Sequence, residues 1–232
     1  MCWSATADLV AGTAIAAVGA VCVARTVRAR RPRDLPLAAL PLAALPLLLG
    51  SHQIVESVLW RSGGGTGPAT LAWAVIALPV LALWVPAGVL CAAPRRARGR
   101  LLIPLAAGAV TAAGLAYALA TRTVTAEIRG HTVGYALGLP YAGLLVAGYL
   151  LATVGSLLLS ADRGIVLLGA LVAAGAAVCV ALWRWEFIST WCAFAAVCSV
   201  TLLWWTGRGA DQQVRRRPPR DRQPSGPGTP EG

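Results

Sequence analysis

The sequence predicts an all-α, polytopic membrane protein with seven transmembrane helices, an outer N-terminus and an inner C-terminus. The first observation is composition: of 232 residues, 57% are hydrophobic and 12% are charged. Soluble domains carry about 25% charged residues. The second is that the apolar residues form runs of roughly 20, the length of a helix that crosses a bilayer core of about 30 Å. The third is that the 20 Lys-plus-Arg positions are all arginine and lie mainly between these runs and in the tail.

The first predicted helix spans residues 4–24. Ser4 and Asp8 suit its first turn, where a side-chain cap and a negative charge are favourable. Gly12 and Ala16 are small residues four apart, a step typical of helices that pack closely in lipid. No basic residue precedes the end of this run, so it lacks the basic start of a cleaved signal peptide, and we expect it to remain as a helix.

The second predicted helix spans residues 35–60 and begins with a repeat, Leu-Pro-Leu-Ala-Ala, at Leu35 and again at Leu40. Pro41 and Pro46 each remove a backbone hydrogen-bond donor, which predicts kinks in this helix. We interpret the repeat as a short tandem duplication that a bilayer tolerates.

The remaining predicted helices span residues 69–93, 101–120, 139–160, 165–183 and 186–205. Pro79 and Pro86 predict kinks in the third helix. Residues 121–138 form the longest connection, and apolar and polar side chains alternate within it. This alternation predicts a small hairpin or cap outside the membrane. Only a short turn, residues 183–186, separates the last two helices, so they are predicted to form an antiparallel pair.

Arginine placement predicts the orientation of the predicted membrane domain, residues 1–206. With the N-terminus outside, 16 arginines lie inside and four outside. Inner loops are the ones that carry excess positive charge. Residues 207–232 are rich in Arg and Pro and are expected to form a disordered cytoplasmic tail. The bias toward Ala, Gly, Pro and Arg suggests a GC-rich bacterial genome, which makes the bacterial cytoplasmic membrane the expected location.

Polar residues gather on the predicted outer side of the bundle. His52, Glu56 and Trp60 recur at four-residue spacing on the second helix, so they line one face. An imidazole and a carboxylate inside a membrane segment are costly unless they face protein or water. The sequence therefore predicts an outward-facing polar pocket, capped by the connection at residues 121–138. Its predicted residues are Cys2, His52, Gln53, Glu56, Trp60, Arg129, His131, Glu186, Ser189 and Cys192.

A divalent metal such as zinc is one candidate occupant of this pocket. His52 and Glu56 are one helical turn apart and can reach the same ion, and His131 would complete a set of three ligands. Cys2 or Cys192 could add a thiolate. The same two cysteines could instead form a disulfide in an oxidising outer compartment.

Three other uses of the pocket stay open. A hydrolase could use Ser51, Ser189 or Cys192 as nucleophile with His52 as base, although the chain has no G-x-S-x-G or H-E-x-x-H motif. An ion-coupled transporter could use membrane carboxylates such as Glu186 and that of the second helix. Alternatively, these polar side chains hydrogen-bond one another and only fix helix packing.

The opening residues Met1–Ala7 resemble those of an uncharacterised family of bacterial multi-pass membrane proteins, whose members begin Met-Cys-aromatic-Ser-Ala-x-Ala. The other similar stretches are Gln53-x-x-Glu56 with Trp60, and Ser189-x-Trp191-Cys192. The similarity covers about residues 1–206 and omits the tail. The resemblance implies a membrane protein and adds weight to these positions, but it implies no activity.

Composition and motifs narrow the class of function. Arginines in short loops indicate topology rather than nucleic-acid binding. The layout matches rhodopsin-like receptors and ceramidase-related zinc hydrolases, but the chain has no Lys to hold retinal, and two histidines cannot make a three-histidine zinc set. We expect a protein that binds or senses a small ligand or ion rather than an enzyme. Its expected partner is the lipid bilayer, and it is expected to be a monomer or weak homo-oligomer.

Overall fold

The computed structural model describes residues 4–28, 36–130, 132–139, 141–182 and 193–215. These residues form helices joined by turns, and one two-stranded sheet. Four of the described helices are long and apolar enough to cross a membrane, which agrees with a membrane protein: Ala5–Arg28, Leu40–Arg61, Pro68–Ala92 and Arg95–Thr121. Three shorter apolar helices follow: Ala142–Leu158, Arg163–Val178 and Phe194–Gly207.

Helix α1, Ala5–Arg28, begins as its sequence predicts. The Ser4 hydroxyl oxygen accepts a hydrogen bond from the Ala7 backbone N–H at 3.2 Å. This bond satisfies one of the amide groups that a helix start leaves without an internal partner.

The second predicted helix is divided at its prolines. A 3-10 turn at Pro36–Ala39 is followed by α2, Leu40–Ala43, and α3, Leu45–Arg61, and α2 and α3 each have a proline at their start. A proline is accepted at a helix start because its missing N–H would be unpaired there anyway. The predicted interruptions at Pro41 and Pro46 are confirmed. The Trp84 indole N–H, from the next helix, donates to the Pro41 carbonyl at 2.8 Å.

Small residues bring α1 and α3 into close antiparallel contact. A Cβ placed on Gly12 would lie 2.9 Å from the Gln53 Cβ, and one on Gly50 would lie 2.6 Å from the Ala16 backbone nitrogen. Real Cβ atoms essentially never approach that closely, so these positions accept no larger side chain. The small-residue step predicted at Gly12 and Ala16 is therefore part of a helix interface, as expected in lipid.

The third helix has a wider turn at Pro79, whereas Pro86, the other proline at which a kink is predicted, lies inside a continuous α-helical segment. Helix α4, Pro68–Val75, leads through a π-helical turn at Ile76–Val80 into α5, Leu81–Ala92. The Leu81 N–H donates to the Ile76 carbonyl, five residues back. The Ala77 carbonyl accepts instead from the Tyr149 hydroxyl at 2.8 Å. The kink predicted at Pro79 thus takes the form of a π turn, whose displaced carbonyl is satisfied from another helix.

The predicted hairpin is present. A 3-10 turn at Arg95–Ala97 leads into α6, Arg98–Thr121, which is followed by β1, Thr125–Arg129, and β2, Thr132–Ala136. The strands pair antiparallel, with Thr125 opposite Ala136 and Arg129 opposite Thr132.

The turn between α3 and α4 forms a backbone bridge with this hairpin. Gly65 and Ala126 exchange backbone hydrogen bonds of 2.8 and 3.0 Å. Gly64 and Gly65 have φ values of +79° and +85°, which favour glycine. The hairpin therefore covers the helix ends around this turn, which we call the hairpin end.

The remaining helices complete the bundle. They are α7, Ala142–Leu150, a π turn at Leu151–Gly155, α8, Ser156–Leu158, α9, Arg163–Leu182, and α10, Ala193–Arg215. Asp162 caps α9, since its Oδ1 accepts from the Gly164 N–H at 2.7 Å. The short turn predicted at residues 183–186 lies outside the described residues.

Helix α10 continues past residue 207, where the sequence predicts the start of a disordered tail. Residues 207–217 contain no proline, and Ala, Gln and Arg among them are good helix formers. The helical part of the chain therefore reaches Arg215. Residues 216–232 lie outside the described residues.

The opposite ends of the helices carry the arginines, and we call this the basic end: Arg25, Arg28, Arg95, Arg96, Arg98, Arg100 and Arg163. A core cluster of aliphatic side chains from α2, α5, α6, α9 and α10 packs beneath it. On the outer faces, large apolar side chains are exposed, among them Val110 and Leu144 at 74% and 73%. Such an apolar exterior suits lipid.

Candidate functional site

Buried polar side chains concentrate at the hairpin end of α1 and α3. Asp8 and Glu56 have no exposed surface, and His52 and Gln53 are also buried. Three of these four, all on α3, belong to the predicted pocket. Because the antiparallel contact sets Gly12 against Gln53, the helical turns on either side bring Asp8 toward Glu56.

The hairpin reaches into this cluster through Tyr135. The Tyr135 hydroxyl donates to the Glu56 Oε1 at 3.2 Å, between residues 79 positions apart in the sequence. Tyr135 lies on β2 opposite Ala126, the residue that pairs with the α3–α4 turn. The predicted cap over the polar residues therefore includes a direct hydrogen bond to Glu56.

Aromatic rings also pack together in this cluster. The Trp73 and Tyr135 rings stack with centroids 3.5 Å apart and planes 7° from parallel. His52 lies on Trp73, with ring centroids 4.8 Å apart. Trp73 is 1% exposed. Side chains of α3, α4 and the hairpin thus pack into one unit around Glu56.

Asp8, which the sequence analysis assigned only to the first turn of the first helix, is also a member of the site. Its carboxyl group lies close to the Glu56 carboxyl and to the Trp60 indole N–H. Within the part of the chain that the structure describes, no hydrogen bond of normal geometry is made by either Asp8 carboxylate oxygen or by the Trp60 Nε1. The site therefore holds two acidic groups near each other in a buried environment.

Two further polar atoms of the cluster have no hydrogen-bond partner among the described residues, the His52 Nε2 and the Gln53 Oε1. An unpaired buried polar atom costs about 1–3 kcal/mol. Gln53 lies against Gly12, one turn along α1 from Asp8. Acceptor oxygens of three side chains thus lie along one stretch of the α1–α3 interface.

The other predicted pocket residues are distributed differently. Arg129 forms an ion pair with Glu127 at 2.7 Å, and both side chains are more than half exposed. Cys2, His131, Glu186, Ser189 and Cys192 lie outside the described residues. The predicted metal set of His52, Glu56 and His131 therefore stays a prediction. The described residues alone contain no group of three or more His, Cys, Asp or Glu placed to hold a metal ion.

Sequence reasoning missed three members of the site. Asp8 offered a signal, because a carboxylate inside an apolar helix needs a partner, but the helix start provided a simpler role for it. Trp73 and Tyr135 offered none, since an aromatic residue in an apolar helix or a short strand is ordinary core material. Their roles depend on contacts between distant segments.

Comparison with known families gives one match: residues 1–217 match a family described as "Family of unknown function (DUF6629)". This confirms the resemblance to an uncharacterised family and extends it beyond residue 206. Comparisons with curated proteins and with solved structures give no match.

Proposed function

The chain belongs to DUF6629, a family of unknown function, and we propose that this member is a seven-helix, multi-pass protein of a bacterial cytoplasmic membrane that binds a small cation, a proton included, at Asp8 and Glu56. The hairpin end faces outward in this proposal, so the cation comes from outside the cell. The positive-inside distribution of arginines supports this orientation.

The observation that carries the proposal is the buried carboxylate of Asp8, which lies near Glu56 and makes no hydrogen bond of normal geometry within the described residues. A buried charge that is only partly compensated costs several kcal/mol, and two like charges near each other repel. A cation or proton held between the carboxyl groups offsets both costs. The unpaired Gln53 carbonyl oxygen on the same interface adds an uncharged ligand of the type that hard cations prefer.

The close packing of the site supports a small occupant. Asp8, Glu56 and Trp73 are at most 1% exposed, whereas sites for drug-sized ligands are open clefts of about 300–1,000 Å³. A proton or a monatomic ion needs no such space. The sequence-based alternative of an organic ligand would require the hairpin to move away.

The hairpin supports sensing as the use of this binding. Glu56 is both a member of the acidic pair and the acceptor for Tyr135. Charge neutralisation at the pair weakens Glu56 as an acceptor, since hydrogen bonds to charged groups are about twice as strong as neutral ones. Occupancy of the site would thus change how firmly the hairpin is held.

The hydrolase alternative receives less support. The Ser51 hydroxyl is exposed and donates to the Leu47 carbonyl at 2.8 Å. It therefore forms no hydrogen bond to His52, the base that such a mechanism requires. The other candidate nucleophiles, Ser189 and Cys192, lie outside the described residues.

The proposal is tested by ion-dependent stability in lipid nanodiscs. The midpoint temperature Tm would be followed by tryptophan fluorescence with Na⁺, K⁺, Mg²⁺ and Ca²⁺, each from pH 5 to 8. A ligand at about 100 times its Kd stabilises by roughly 2.7 kcal/mol, a Tm rise of about 5–10 °C. We expect one cation, or acidification, to give this rise in the natural protein and none in Asp8→Asn.

Glu127→Gln is the matched control, because Glu127 is an exposed carboxylate in a surface ion pair. It should keep the full response. Glu56→Gln repeats the test if Asp8→Asn does not fold. An ion response that is absent from the natural protein, or unchanged in both site variants, would overturn the proposal. Flux through the same proteins in liposomes, lost in Asp8→Asn, would favour the ion-coupled transporter over a sensor.

A further inference from the structure

A cavity lies at the basic end, at the opposite end of the helices from the acidic site. Its volume is about 260 Å³, and it is found where α5 ends. Ala38 and Ala39 of the 3-10 turn form one wall, and Cys91 and Ala92 of α5 form another. Apolar walls of small side chains leave space for a hydrocarbon chain rather than for a polar molecule.

Arg98 is the charged residue of this cavity. Its Nε donates to the Ala93 carbonyl at 3.2 Å, and the side chain is half-buried. This bond holds the guanidinium group at the cavity, and its other N–H groups, which make no further hydrogen bond to the described residues, can donate to a ligand. A guanidinium fixed in this way suits the oxygens of a phosphate, to which it donates two parallel hydrogen bonds.

The charge around the cavity has no acidic counterpart nearby in the described chain. Arg95, Arg96 and Arg100 are exposed next to Arg98, and the ion pair found among the described residues is the distant one between Arg129 and Glu127. Asp162 at the basic end is already committed to capping α9. The basic end is therefore complementary to an anionic partner.

We propose that this cavity binds an anionic phospholipid, with its phosphate on Arg98 and one acyl chain against the alanine wall. Basic pockets among membrane helices are known to hold anionic headgroups. The flanking arginines add long-range attraction that is sensitive to salt. This lipid site is independent of the cation site proposed above, since it lies at the opposite end of the helices.

Cys91 provides a direct measurement of occupancy, because its thiol is exposed and lines the cavity. The rate of maleimide labelling at Cys91 would be measured by peptide mass mapping in a neutral detergent. We expect phosphatidylglycerol to slow labelling about tenfold, which corresponds to about 90% occupancy. Phosphatidylcholine and inorganic phosphate should change the rate less than about twofold.

Arg98→Gln should abolish the protection by phosphatidylglycerol, and Arg163→Gln, a matched loss of charge at the same end, should keep it. Equal loss of protection in both variants would mean that phosphatidylglycerol responds to general surface charge. That result would overturn the proposed binding in the cavity. Protection by inorganic phosphate alone would overturn the lipid assignment in favour of an anion site, and equal protection by phosphatidylcholine would overturn the role of charge. If Arg98→Gln does not fold, Ala39→Leu fills the cavity at unchanged charge, and it should lose bound phosphatidylglycerol in native mass spectrometry.

Discussion

At the scale of single residues, Ser4 and Asp8, one helical turn apart, have different roles. Ser4 caps α1 through the Ala7 amide, a purely local function. Asp8, one turn further, is buried in the contact with α3 and lies near Glu56. The helix dipole favours an acidic residue at a helix start, but here the burial of Asp8 against α3 determines its role. The free energy of that buried carboxylate is controlled by what α3 and the hairpin place around it.

Tyr135→Phe tests the hydrogen bond that joins the hairpin to the site. The substitution keeps the ring stacked on Trp73 and removes the donor to Glu56. We expect a loss of about 1–2 kcal/mol in the free energy of unfolding, measured by thermal denaturation in nanodiscs. Tyr117→Phe, at an exposed tyrosine, should cost less than about 0.5 kcal/mol. Equal effects of the two variants would mean that the bond to Glu56 contributes nothing.

At the scale of elements, interruptions in the helices are matched by contacts from neighbours. At the break in the second helix the Pro41 carbonyl accepts from Trp84, and in the π turn at Ile76–Val80 the Ala77 carbonyl accepts from Tyr149. Within a membrane an unsatisfied carbonyl costs several kcal/mol. The interruptions thus occur near Pro41, Pro46 and Pro79, whereas Pro86 lies inside a continuous α-helix, and side chains of adjacent helices bond to carbonyls at those interruptions.

The α1–α3 contact is expected to depend strongly on Gly50. In Gly50→Ala the added Cβ would meet the backbone of Ala16 and of Gly12 at 2.6 and 2.7 Å. Since backbone atoms cannot move aside as a flexible side chain does, we expect a loss of about 1–3 kcal/mol. Denaturation in mixed detergent micelles would measure it.

Gly143→Ala is the control for this substitution, because Gly143 lies in α7 and a Cβ there meets nothing within 4 Å. It should be neutral or stabilise by up to about 1 kcal/mol through helix propensity. Similar destabilisation of both variants would show that loss of glycine itself, rather than the helix contact, is responsible.

At the scale of the whole molecule, the two ends of the helices differ in chemistry. The hairpin end holds the buried acidic pair, Asp8 and Glu56, and the basic end holds the exposed arginines around Arg98. The bundle thus has acidic groups at its hairpin end and basic groups at its opposite end. Positive charge favours the cytoplasmic side of a membrane, so the same asymmetry that sets the predicted orientation also places the proposed lipid site in the inner leaflet.

Cysteine labelling in whole cells tests this orientation. In a Cys91→Ser background, Thr66→Cys reports the hairpin end and Gly99→Cys the basic end, and both positions are exposed. A membrane-impermeant maleimide should label Thr66→Cys in intact cells and Gly99→Cys only after permeabilisation. The reverse pattern would place the cation site on the cytoplasmic side. Mass mapping separates these sites from the remaining natural cysteines.

The sequence by itself determined where the chain forms apolar helices, that Pro41, Pro46 and Pro79 disturb two of them, and that a hairpin follows the helix that ends at Thr121. These features follow from composition and from spacing within one segment. Only the tertiary structure decided that Asp8 joins Glu56, and that Tyr135 and Trp73 close the site. The physical reason is that these contacts join segments dozens of residues apart, and their partners are set by the α1–α3 register and by the docking of the hairpin on the α3–α4 turn.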